Sequence, residues 1–263
     1  DLAGTDLRRT NLRQATLRRA NLQGALLDSA VFDGASLAEA DLDSAYLDDA
    51  SLVKADLHEA SLRGADFRYA RLDGANLQRA NLENANLEGA RLFKTRLDSA
   101  TLTMTVLYKA NLDSANLHGA GLHHAVLIDT RLSHADLRKA DLTEIYAPKA
   151  HLQQARLSEA NLELANLVAA DLSQADLSHT VLVQTNLREA TLRGANLSGA
   201  DLTGAQLDNA DLQQTDLRGA NLSGALGLVQ TQLDQACLDE TTRIPSGLQQ
   251  PKACQSQRQR RTS

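Results

Sequence analysis

The chain has 263 residues, of which 43% are hydrophobic but only 3% aromatic, with no Trp and one Met. That is too few rings for an ordinary globular core, so Leu and Ala must supply what is buried. Its 27 Lys and Arg against 33 Asp and Glu give a net charge of -6, which disfavours a nucleic-acid binder held by phosphate contacts. No run approaches the roughly 18 uninterrupted apolar residues of a membrane-spanning helix, and no apolar leader opens the chain.

The first twenty residues carry Arg8, Arg9, Arg13, Arg18 and Arg19, whereas residues 21 to 53 hold seven acids and no Lys or Arg. Charged runs of this kind are solvated surface, and arginines at a coil end discourage end-to-end stacking. Residues 1 to 225 divide without a gap into 45 pentapeptides of the form X-Leu-X-X-Ala. Writing n for the unit, position 5n+2 is Leu in 42 units and Phe in two (Phe32, Phe67), and position 5n is Ala in 36 and Thr in 8. Position 5n+1 is Asp in 12 units and Asn in 12, and twelve glycines at 5n+4 relieve tight corners. Residue 1 is already in register, which predicts a further segment upstream.

A five-residue period suits neither a helix, where leucines would wind around the cylinder, nor a straight strand, where they would alternate between faces. It suits a short extended piece with Ala(5n) and Leu(5n+2) both pointing inward, followed by two residues that turn the chain. Successive coils then stack about 4.8 Å apart and pair their backbones with one another. Like charges stacked in a ladder are unfavourable. No two of the twelve aspartates at 5n+1 lie 20 residues apart, whereas pairs occur 15 apart (Asp41 and Asp56) and 25 apart (Asp41 and Asp66). This favours four sides per coil.

Units such as ADLDSA, ANLQRA, ANLENA and ANLSGA resemble the A-(D/N)-L-x-x consensus of the pentapeptide-repeat family. The resemblance covers residues 1 to 225 and implies an all-β solenoid: a right-handed, four-sided parallel β-helix of about 11 coils, about 50 Å long at the strand spacing.

One unit breaks the pattern, at Thr143 to Lys149, where Ile145 and Ala147 exchange sizes and fill nearly the volume of the usual Ala and Leu. Pro148 has no N–H for a ladder, so the wall is expected to be irregular there. After Ala225 the register is expected to slip by one. Leu228, Val229, Leu233, Ala236 and Cys237 suit a short amphipathic helix closing the coil. The stretch from Gly227 to Cys254 is similar to the C-terminal cap of bacterial pentapeptide-repeat proteins, with Val229 where a capping Thr would serve better. The organisation expected is therefore a β-helix over 1–225, a cap over 226–254 and a disordered basic tail over 255–263. Cys237 and Cys254 allow one disulfide, which would favour an extracytoplasmic compartment such as periplasm or thylakoid lumen; two unpaired thiols in the cytoplasm are the alternative.

No P-loop, dinucleotide fingerprint, zincin motif or C-x-x-C occurs. Abundant Asp, Ser and His occupy outward positions on a convex rod, so neither an enzyme nor a cofactor is expected. His118, His123, His124 and His134 form the one histidine cluster, which corner exposure explains without a metal. Aligning outward positions by 20 places Val106, Val126 and Tyr146 in one column and Tyr108, Ile128, Pro148 and Val168 beside it, with Leu26 and Tyr46 earlier on the same side. A contiguous apolar strip on a polar rod marks an interface. Arg71, Arg91, Arg131 and His151 form a basic column, read as a solvated ladder.

The sequence therefore points to a non-catalytic scaffold that binds a protein partner, or itself, through this strip. The resemblance implies an alternative, since some family members imitate DNA and bind topoisomerases such as gyrase. Residues 21 to 225 hold 28 acids and 17 bases, a net of -11, but Arg68 and the arginine column interrupt the acidic surface. A third reading is an adaptor domain of a larger membrane or secreted protein.

Overall fold

Each pentapeptide brings five backbone N–H groups, and where these five go defines the architecture. The computed structural model describes residues 1–251. In the unit Asn81 to Ala85, Leu82 donates to the Thr101 carbonyl at 2.7 Å and Asn84 to the Thr103 carbonyl at 3.0 Å, both one coil ahead. Asn81 donates to the Ala60 carbonyl one coil behind at 2.9 Å, and Ala85 closes the turn onto Leu82 at 2.9 Å. The fifth donor, Glu83 N–H, goes to the side chain of Asn81 at 3.0 Å. Three donors thus tie neighbouring coils, one makes a turn, and one depends on a side chain.

Parallel bridges join 5n+1 positions 20 residues apart, beginning with Asp6 and Leu26 and continuing to Gln206 and Leu226. Four pentapeptides make one turn of a four-sided coil. The avoidance of aspartates at a spacing of 20 reflects this register: Asp136, Arg156, Asp176, Asn196 and Asp216 are successive rungs.

The side-chain-dependent donor explains the second consensus position. All 24 Asp and Asn residues at 5n+1 accept the N–H two residues on. This is the Asx turn that Asp and Asn form readily. Where the unit begins with Ser51, Ser61 or Arg131, an aspartate one coil back serves instead: Asp33 accepts from Val53, Asp43 from Arg63 and Asp113 from Ser133, at 3.2, 2.9 and 2.9 Å.

The turn itself has φ near +60° at 5n+4 in every one of the 45 units, through 33 non-glycine residues and twelve glycines. Positive φ at the third turn residue is the mark of a type II turn. No Val, Ile, Thr or Pro occupies a 5n+4 position, as expected where branching at Cβ, or a ring that fixes φ negative, would be excluded.

Inside, Leu and Ala are buried essentially completely from Leu22 onward, and Phe32 and Phe67 occupy leucine positions at 0% exposure. The first-coil leucines Leu2, Leu7, Leu12 and Leu17 are partly buried against this core. Buried threonines at 5n keep their hydroxyls satisfied by Leu carbonyls, as in Thr95 to Leu72 and Thr130 to Leu107 at 2.9 and 2.7 Å. The arginines of the first coil reach the acids of the second: Arg13 pairs with Asp33 at 3.2 Å, and Arg18 and Arg19 both pair with Glu39. The uneven charge along the sequence is therefore locally compensated between two coils.

The Pro148 unit is regular, contrary to expectation. Tyr146, Ala147 and Lys149 donate to Ala125, Asn166 and Val168 at 2.9, 2.8 and 2.9 Å, and Pro148 accepts from Asp129 at 3.1 Å. The 5n+3 N–H never belongs to the ladder, so proline removes no rung, and its fixed φ suits the second residue of a type II turn. Ile145 and Ala147 are both buried, at 3% and 1% exposure.

Beyond the repeats the 20-residue register outlasts Ala225, because Leu226 still pairs with Gln206. The helix α1 is only Gln230–Leu233. Cys237 lies outside it and returns to the ladder opposite Asp216, 21 residues away, followed by Arg243 opposite Asn221 at 22. Val229, which precedes the helix, has no side-chain acceptor; Gln232 accepts its N–H at 2.9 Å and donates to the Leu207 and Ala210 carbonyls, each at 2.9 Å. Leu233 and Leu238 are buried against the core. Cys254 and the expected tail over 255–263 lie outside the described residues. Among the described residues no helix is long and apolar enough to cross a membrane.

Asp239 ties this segment to the last repeats, accepting the Thr241 hydroxyl at 2.7 Å and the backbone N–H of Gly219, Thr241 and Thr242 at 3.0 to 3.1 Å. These donors, the Thr241 hydroxyl foremost, lower its pKa to about 2.

Two predictions follow from these hydrogen bonds. Asn161→Ala strands the Glu163 N–H, now bonded at 3.1 Å, and is expected to cost about 0.5–1.5 kcal/mol in chemical denaturation. Tyr146→Ala strands no such donor, because position 148 is proline, and should cost less; equal losses would contradict the assignment. For Asp239 the folded pKa is depressed, so its contribution is present above the ordinary carboxylate range and is lost as pH falls through about 2. The amide resonances of Gly219 and Thr241 should titrate near that lower value, and a midpoint near 4 would contradict this.

Candidate interaction face

Outward residues stack at the coil spacing, so composition along a column becomes a surface. Val106 bridges to Val126 and Val126 to Tyr146, making a continuous apolar ladder flanked by Asn86 and Asn166. The next outward column carries Tyr108, Ile128, Pro148 and Val168, all half-buried, while Tyr146 is 47% exposed. The structure thus brings together all seven residues of the strip read from the sequence.

The strip is also wider than the sequence reading. The corner leading into this face carries Met104, His124, Glu144 and Leu164 in successive coils, with Met104 and Leu164 at 51% and 47% exposure. Sequence reasoning missed them because the left-handed 5n+4 residue, normally polar here, looks like a loop position. On the other edge lie Lys109, Asp129 and Lys149. Lys109 sits 4.8 Å from the centre of the Tyr108 ring, and the Tyr108 hydroxyl beside it holds its pKa above the ordinary lysine range. An apolar centre with a charged rim is the anatomy of a protein interface.

Tyr46 and Tyr69 are exposed on the earlier coils of the same side. They are separated from the strip by Asp66, Arg68, Asn86 and Glu88. The Tyr69 ring rests on Gly89, where an added Cβ would fall 2.7 Å from it.

The basic column is internally neutralised. Arg91 pairs with Asp73 at 3.3 Å, Arg131 with Asp113 at 2.6 Å and His151 with Asp129 at 3.4 Å. Many acids are likewise paired within their own unit: Asp6 with Arg8, Asp66 with Arg68, Asp136 with Arg138 and Asp216 with Arg218, at 2.5 to 2.7 Å. The Arg8 guanidinium lowers the Asp6 pKa to about 2.

A shallow polar groove is lined by Asp56, His58, Asn76, Gln78 and Asp98. His58 Nδ1 lies 2.8 Å from Asp56 Oδ1. Burial alone would raise the Asp56 pKa, but hydrogen bonds from His58 outweigh it and lower it. The groove is open along the wall and shields no reacting group from water.

The four histidines separate. His118 and His134 stand on different corners, whereas His123 and His124 share one, their ring centres 3.8 Å apart. His124 Nδ1 lies 3.5 Å from Glu144 Oε2, one coil ahead. Glu144 was overlooked in the sequence because it lies 20 residues from His124, although the same alignment that found the apolar strip would have found it.

The family model for pentapeptide repeats matches in eight copies, spanning residues 1–34, 30–68, 70–107, 90–127, 105–144, 149–184, 185–224 and 200–242. Among solved structures, the chain is similar to HetL, a pentapeptide repeat protein involved in heterocyst differentiation regulation from the cyanobacterium Nostoc sp. strain PCC 7120. The identity is 34%, covering 84% of this chain and 90% of that one, with a TM-score of 0.30. It is also similar to a pentapeptide repeat protein of the Arabidopsis thaliana thylakoid lumen, at 36% identity over 43% of this chain and 71% of that one, with a TM-score of 0.16. A third is QnrB1, a plasmid-mediated fluoroquinolone resistance protein, at 22% identity over 65% of this chain and 92% of that one, with a TM-score of 0.35. No curated protein matches the chain. With the family model matched across almost all of residues 1–242, the chain belongs to the pentapeptide-repeat family, which implies a right-handed quadrilateral β-helix.

Proposed function

We propose that this protein is a non-catalytic scaffold that holds a protein partner on the apolar face, with Val106, Val126 and Tyr146 at its centre, Tyr108, Ile128, Pro148 and Val168 beside them, and Met104 and Leu164 on its edge. Family membership supports the scaffold reading, since pentapeptide-repeat proteins are generally non-catalytic. The observation that carries the site is the stacked, exposed apolar ladder on a rod whose outward columns are otherwise polar. In this reading residues 1–225 form a rod of about eleven coils, and the segment from Leu226, with α1 and Gln232 on the Leu207 and Ala210 carbonyls, closes its end.

The DNA-mimic reading has less support. Asp66 lies 2.7 Å from Arg68, which also approaches Asp48 at 4.0 Å. Similar pairs recur along the rod, so the acids do not present an uncompensated ladder resembling phosphates.

The test is a double substitution, Val126→Lys with Tyr146→Lys, against Ser178→Lys with Ser198→Lys as a matched pair on the opposite face. Partner retention on immobilised protein should survive the control and fall at least tenfold with the first pair, while the denaturation midpoints of the two stay close. Sedimentation of the purified chain distinguishes self-association from a foreign partner. Equal retention by both variants would overturn the site. We also infer that Cys237 pairs with Cys254, with an oxidising compartment as the corollary; thiol titration under denaturing, non-reducing conditions should then find no reactive thiol, and two would refute the pairing.

A further inference from the structure

Adjacent residues rarely act as ligands to one ion, because in a strand they face opposite sides and on a helix they diverge. The type II corner removes that obstacle. His123 and His124 occupy the two central turn positions, the second with φ of +58°. The turn is closed by the Ala125 N–H on the Leu122 carbonyl at 2.9 Å. Both imidazoles therefore leave the same corner. The ladder then stacks Glu144, with φ of +56°, on His124 one coil ahead. His124 N–H donates to Thr143 at 3.2 Å and Glu144 N–H to Glu163 at 2.9 Å, so the backbones carrying the ligands are held in the stack.

We propose that His123, His124 and Glu144 form a binding site for a divalent transition-metal ion of the zinc type. One ligand atom from each residue lies within 4.8 Å of the other two, and the His124 to Glu144 pair is already at 3.5 Å. Tetrahedral zinc with bonds of about 2.0–2.1 Å needs ligand atoms about 3.3 Å apart. Small rotations of partly exposed side chains supply the remaining approach. Two imidazole nitrogens and one carboxylate oxygen are a zinc or copper ligand set; calcium and magnesium prefer more numerous, all-oxygen ligands. Three protein ligands leave the fourth position open to solvent. The site stands on the corner leading into the apolar face and does not depend on the partner reading.

The experiment uses the full chain without an affinity tag. Zinc alone is titrated in competition with a chromophoric chelator, and cobalt alone is titrated by its visible absorption. One equivalent of zinc should bind, and cobalt should give the intense spectrum of a tetrahedral site. His124→Ala and Glu144→Gln should each weaken zinc binding about tenfold or more, whereas His118→Ala and His134→Ala should leave it unchanged. Both ligand variants alter an exposed corner that accepts many residue types, so their denaturation midpoints should stay near that of the unaltered chain. Absence of saturable zinc binding, retention of full affinity by either ligand variant, or equal loss in the two control variants would overturn the proposal.

Discussion

The hydrogen bond from each leucine N–H to the carbonyl nineteen residues ahead sets the coil at four pentapeptides and, with it, the place of every other side chain. It runs from Leu2 to Leu222, at 2.6 to 2.9 Å. Because the donor and acceptor belong to different coils, the inserted or deleted residue that an ordinary surface loop would absorb would here turn leucines outward along a whole wall. The 45 units in unbroken register are the sequence expression of that constraint. The chain departs from it only where α1 and its flanks take up the extra residues, so that Cys237 and Arg243 rejoin at spacings of 21 and 22.

How much of this is legible in the sequence depends on whether a feature repeats. The inward Leu and Ala, the interior Phe32 and Phe67, and the four sides all follow from periodicity, because each error would be multiplied over many coils. The seven strip residues were also legible once outward positions were aligned by 20. Pro148 was misread because the ladder was assumed to use every N–H, when the 5n+3 donor is served by a side chain. Cys237 was misread as helical because a short apolar pattern cannot distinguish a turn of helix from a returning strand. The His123, His124 and Glu144 corner escaped notice because its convergence depends on a positive φ at a non-glycine residue, which sequence pattern does not announce.

Stability in such a rod is shared between neighbours. Each coil touches the ones before and after it, and the gain from burying a leucine, about 1.5–3 kcal/mol, is realised only when both are in place. The outward side chains contribute little to this, and their ion pairs are mostly exposed and weak. The wall and the surface are therefore largely separable: the interior columns are set by the fold, while the outward columns can vary without disturbing it. Arg13 with Asp33 and Arg91 with Asp73 show the surface compensating charge locally rather than holding the rod together.

One outward position is less free, and it bears on the apolar face. An Asp or Asn at 5n+1 satisfies the N–H two residues on, worth about 0.5–1.5 kcal/mol, and 24 of the 45 units take that option. A valine there forgoes it. Val106 and Val126 offer the Tyr108 and Ile128 N–H groups no acceptor, and the fold alone would prefer asparagine at both, as at the flanking Asn86 and Asn166. Tyr146 escapes the conflict because the residue two beyond it is Pro148, which has no N–H. Apolar side chains thus occupy three consecutive rungs, twice against the preference of the backbone and once with proline in place of the orphan donor. That pattern needs a cause outside the stack, and a surface that covers the face is the cause consistent with its exposure.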